Sequence, residues 1–106
     1  MSFNLSKEFP LLASELGELL QRSGENELAK TVDGLMVVDR CRCGDDFCAT
    51  MYTVPRPKGA WGEGHRNVAL DPQRGFLILD VLNERIVAIE VLYRDEIRES
   101  LLTLLL

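Results

Sequence analysis

The sequence predicts an α+β fold: an antiparallel meander of about five strands, with N- and C-terminal helices packed on one face. Three observations carry this. Leucines recur at helical spacing near both ends of the chain. Runs rich in β-branched and aromatic residues fill the middle. Polar stretches rich in Gly, Pro, Asp and Asn separate those runs. At 106 residues the chain makes a single domain, 1–106, long enough to bury a core without disulfide staples.

The first helix is expected over about residues 6–22. Phe9, Leu12, Ala13, Leu16, Leu19 and Leu20 fall on one face at three-and-four spacing. Ser6 is the expected cap, and Pro10 is tolerated only near the helix start. The stretch "RSG" at 22–24 stops it. "ENELAKT", 25–31, reads as a further helical turn or two that turns Leu28, Ala29 and Val32 inward.

"GLMVVDRCRC" and "FCATMYTV" then read as two strands around a polar turn. "PRPKGAWGEGHR" is loop chemistry, with two prolines and three glycines in a dozen positions. "NVAL" is a short third strand ended by the turn "DPQRG". "FLILDVL" and "IVAIEVLY" form the last pair. A three-residue turn, Asn83-Glu84-Arg85, sets Val81 opposite Val87, Leu79 opposite Ile89 and Leu77 opposite Val91. Asp80 and Glu90 then share the other face, which is expected to be wet. The tail "RDEIRESLLTLLL" is a helix with Asp95, Glu96 and Glu99 early, where the helix dipole favours acids. Ile97, Leu101, Leu104 and Leu105 make its apolar stripe, for packing on the first helix or for a dimer contact.

A net charge of −5 disfavours an electrostatic grip on nucleic acid or anionic lipid. No apolar run approaches the ~20 residues of a membrane span. No basic segment leads into an apolar run at the start, so a cytoplasmic location is expected, with reduced thiols.

The three cysteines lie in "CRCGDDFC", 41–48. Strand alternation puts Cys41 and Cys43 on one face and Arg40 and Arg42 on the other. A two-residue loop Gly44-Asp45 sets Cys41 opposite Cys48; a loop centred on Asp45-Asp46 sets Cys43 there instead. Either loop gathers all three sulfurs on one face. The plainest reading packs them as small core residues beside Leu35, Val37, Tyr52 and Val54. The alternative is a zinc site of Cys41, Cys43 and Cys48 with His65, the only histidine, as the fourth ligand. Its weakness is spacing. Cys41 and Cys43 on an extended strand stand ~6–7 Å apart, wider than zinc accepts unless the backbone bends.

The loop 55–66 is the other candidate site. Arg56, Lys58 and Arg66 make it locally basic, and Trp61 is an aromatic that could stack on a partner or cover the edge of the core. No phosphate loop, serine elbow or metalloprotease motif is present.

Residues 67–93, "NVALDPQRGFLILDVLNERIVAIEVLY", resemble the small bacterial YuzE-like proteins of unknown function, through the strand pattern "ERIVAIEVL". The resemblance implies a small antiparallel sheet with a terminal helix. It also admits an antitoxin or immunity role as partner of a small toxin. The cysteine segment and the N-terminal helix depart from that pattern.

The leading functional expectation is a non-enzymatic protein-interaction module without a cofactor, binding another protein or a second copy of itself. The alternatives are the Cys3His zinc protein and the toxin partner.

Overall fold

The computed structural model describes residues 1–106. The chain is α+β, and the sequence misplaces its first break. One continuous helix from residue 6 is not formed. A short helix α1, Leu5–Glu8, is followed by α2, Pro10–Arg22. Between them Phe9 leaves helical geometry at φ −131°, ψ 64°. Proline pushes the residue before it out of the helical region and has no N–H to continue the ladder, so it starts a new helix. Ser6 is not the cap. Asn4 caps α1, its Oδ1 accepting from Lys7 N at 3.0 Å, while Ser6 Oγ bonds Asp33 Oδ1. A single turn α3, Asn26–Ala29, and a 3-10 turn at Val32–Gly34 bring the chain to its strands.

Two of the expected strands are shorter than the sequence suggests. Strand β1, Phe3–Asn4, pairs with β2, Met36–Val37, in a separate two-stranded sheet. The chain continues at once into β3, Asp39–Arg40, which pairs with β4, Met51–Tyr52. One extended stretch therefore serves two sheets. β5, His65–Leu70, β6, Phe76–Leu82, and β7, Arg85–Leu92, complete an antiparallel five-stranded sheet in the order β3-β4-β7-β6-β5. The last three strands run as a meander, and the loop 53–64 carries the chain from β4 to the far edge. β5 starts at His65, two residues before the expected "NVAL".

The β6–β7 register agrees with the apolar pairs Leu77–Val91 and Leu79–Ile89. Val81, however, faces Ile86 rather than Val87. The turn has two residues, Asn83 and Glu84, both left-handed at φ 51° and 63°. That is the hairpin turn whose twist suits the strands. A bulge between Asp80 and Val81 inserts one extra residue on β7 and restores the pairing beyond it.

One face of the sheet is the core face. Met51, Leu77, Leu79, Ile89 and Val91 are inaccessible to solvent and pack in one cluster with Leu12, Leu16 and Leu20 of α2. Helix α4, Asp95–Leu104, adds Ile97 and Leu101 to that cluster, so both terminal helices share it. Just before α4, buried Arg94 donates through both terminal nitrogens to the Glu15 carboxylate of α2 at 3.0 and 2.7 Å, and through Nε to Arg74 O. No helix is long and apolar enough to cross a membrane.

Candidate metal centre on the helix-free face of the sheet

The opposite face carries the polar and sulfur chemistry. Side chains alternate along a strand. Burying Met51, Leu79 and Ile89 on the helix side therefore sends Tyr52, Asp80 and Glu90 to the other.

The cysteine segment forms no regular hairpin. β3 ends at Arg40, although Cys41 N still reaches Thr50 O at 2.9 Å. The chain then loops through Gly44, at φ +83°, and Cys48 N returns to Asp45 O. Cys48 faces neither Cys41 nor Cys43. It bridges Leu92 at the end of β7. This bend removes the spacing objection. The three Sγ atoms all lie within 4.8 Å of one another. Around a tetrahedral zinc with Zn–S bonds of ~2.3 Å, sulfurs sit ~3.8 Å apart, so small rotamer changes would close the set.

The core reading of these thiols is overturned. Cys43 is exposed, Cys41 and Cys48 are half-buried, and all three are free. Their protons are not equivalent. Burial raises the Cys48 thiol, but hydrogen bonds from Thr50 and from the Cys43 and Cys41 thiols outweigh it and leave Cys48 below a free cysteine. The Asp45 amide lowers Cys43, but its hydrogen bond to Cys41, burial and the Cys48 sulfur hold it up at about 11. Hydrogen bonds from its neighbours thus favour the thiolate at Cys48, while Cys43 is held protonated.

His65 is not the fourth member. Its Nε2 lies 2.8 Å from Asp80 Oδ1, the oxygen to which Asn67 Nδ2 also donates at 2.8 Å. Asp80 is only 7% exposed, and these two partners account for its burial. Beside it, burial together with a hydrogen bond to Asp80 and the charge of Asp80 pushes the Glu90 carboxyl up to about 7. The two carboxyls expected to share this face do so, on a drier site than expected.

The loop residues divide. Trp61 packs beside Tyr52 and His65, with ring centroids 6.4 and 6.3 Å away. Arg56 pairs with Asp39 at 3.2 Å and lies over the Tyr52 ring. With Lys58 they line a shallow hollow of about 640 Å³. Arg66 is elsewhere, tied to Glu25 at 2.8 Å and Glu84 at 3.0 Å. These bonds raise the Arg66 guanidinium and lower Glu25. Arg40 and Arg42 donate to the carbonyls of Leu105 and Leu106.

No family model, curated protein or solved structure matches the chain.

One feature lay beyond sequence reasoning. Tyr93 stacks on Phe47 at 5.0 Å and packs against Phe76 at 5.8 Å, beside the Cys48–Leu92 bridge. Phe76 and Tyr93 are each 55% exposed, and Tyr93 has a left-handed φ of 61°. Its three members are far apart in sequence: the β6–β7 pairing sets Phe76 beside Tyr93, and the closure of the cysteine loop onto β7 adds Phe47.

Proposed function

We propose that this protein binds one thiophilic metal ion, zinc in the first instance, through Cys41, Cys43 and Cys48. The observation that carries the reading is the mutual approach of three free thiols within 4.8 Å. Packing alone gives no reason for three such groups to meet at an exposed loop. Thiolate is the ligand zinc and other soft d10 ions favour. The role is non-enzymatic: His65 is held by Asp80 and takes no part in the cluster. The test is elemental analysis of protein purified without added metal, followed by cobalt titration. One equivalent of cobalt, with a sulfur-to-cobalt absorption weakened by each single Cys→Ser change, is expected. Absence of both zinc and that absorption would end the reading.

A second reading is a protein-interaction module, including an antitoxin or immunity-type partner in keeping with the YuzE-like resemblance. It is favoured by the exposed rings of Tyr93 and Phe76, packed on half-buried Phe47, since interfaces are enriched in such anchors. The hollow of Arg56, Lys58 and Trp61 would add polar contacts on the same face. Native mass spectrometry over a range of concentrations tests self-association, the simplest form of this reading. A dimer lost on Tyr93→Ser supports it; a monomer throughout removes the self-association form.

A further inference from the structure

We infer that the three-thiol cluster is a receptor for a trivalent, three-coordinate thiophilic centre, arsenic(III) or its congener antimony(III). This rests on the reading that Cys41, Cys43 and Cys48 act on one ion, and it names the ion class the site suits best.

Ligand number comes first. Structural zinc sites are closed by four protein ligands, and this cluster holds three sulfurs with no other Cys, His, Asp or Glu among them. The chain has one histidine, and its Nε2 is hydrogen-bonded to Asp80. Zinc here would need water or an outside ligand. Trivalent arsenic needs neither, because it forms three bonds and completes its shell with a lone pair.

Geometry agrees. A three-bonded pyramidal centre wants its ligands gathered on one side and nothing on the other. Cys41 and Cys48 are half-buried and Cys43 is exposed, so the sulfurs form a cap with one side open to solvent. The lone pair would point there.

Charge gives the third argument. Three thiolates with a divalent ion carry a net −1; with a trivalent centre they are neutral. The loop between Cys43 and Cys48 holds Asp45 and Asp46, which penalise residual negative charge. The nearest arginines in sequence do not offset them. Arg42 pairs with Asp39 and the Leu106 carbonyl, and Arg40 with the carbonyls of Leu105 and Leu106.

The step is balanced without a redox partner. Arsenite enters as neutral As(OH)3. Three S–H protons pass to its three hydroxyls, three As–S bonds form, three As–O bonds break and three waters leave. Arsenic stays trivalent, and no sulfur is oxidised.

Native mass spectrometry of the reduced protein with sodium arsenite tests this. The expected product gains one arsenic and loses three hydrogens. Each of Cys41→Ser, Cys43→Ser and Cys48→Ser should weaken arsenite binding at least ~10-fold, the effect of ~1.4 kcal/mol. Arsenite should also displace bound cobalt. Cobalt binding with no arsenic adduct would sink this inference and leave the metal-binding reading standing. An adduct that has lost only two hydrogens, or a single Cys→Ser variant that binds arsenite as tightly as the parent, would also overturn it. Failure of both cobalt and arsenite to bind would sink both readings.

Discussion

Arg94 and Glu15 meet in a two-pronged ion pair that joins the start of α4 to the middle of α2. The guanidinium is 6% exposed and the carboxylate 29%. The two partners are therefore not equal. Glu15→Ala would strand a buried cation, at a cost of about 3 kcal/mol. Arg94→Met would leave a carboxylate that water can reach, and should cost less. Urea denaturation of both variants checks the order. An equal loss in the two would contradict the asymmetry of burial.

Glu90 makes stability depend on pH. Its carboxyl is raised to about 7, first by burial and then by the hydrogen bond and charge of Asp80. Between its unfolded value and about 7 the folded state holds a proton that the unfolded state has lost. Stability therefore falls as pH rises through that window, and the penalty is complete above it. The full shift would amount to ~3 kcal/mol, but Glu90 is partly open to water, so screening reduces it to ~1 kcal/mol. Glu90→Gln should raise the melting temperature at pH 8 and change it little at pH 4. Thermal melts at the two values are the measurement.

The β6–β7 turn stores strain at one residue. Glu84 sits at φ 63° with a side chain that pays for that geometry. Glu84→Gly would relieve ~1 kcal/mol and create the Asn-Gly pair this turn prefers. It also removes an ion pair to Arg66 in which Glu84 is 72% exposed, a loss of under ~0.5 kcal/mol. A small net gain in stability is expected from chemical denaturation.

Cys43 and Met51 separate the thiol site from the core. Cys43 is exposed, so Cys43→Ser should change folding stability by less than ~0.5 kcal/mol while weakening ion binding. Met51 is fully buried against the helices, and Met51→Ala should cost ~3 kcal/mol. Comparable losses in the two would mean that the thiol loop supports the fold.

The sequence carried the β6–β7 pairing because a period-2 pattern admits one register that buries Leu77, Leu79, Ile89 and Val91 together. It carried the helices through their leucine spacing, but not the break at Phe9, although Pro10 was the available signal. The Val87 bulge has no signature of its own. His65 escaped for a different reason. Extending strand alternation back from Asn67 would have placed both residues on one face, and β5–β6 pairing sets Asn67 opposite Asp80. The cysteine loop was illegible because its path is set by the bridge from Cys48 to Leu92, which lies on β7, far away in the chain.

Arg42 stands between two of the sulfur-bearing residues in the chain, yet its guanidinium grips the carbonyl of Leu106. Arg40 does the same one step earlier, at Leu105. A guest at the sulfurs would therefore stiffen the far end of the last helix without touching it. Slower amide exchange at Leu104 and Leu105 on loading would be the remote signal of an occupied loop.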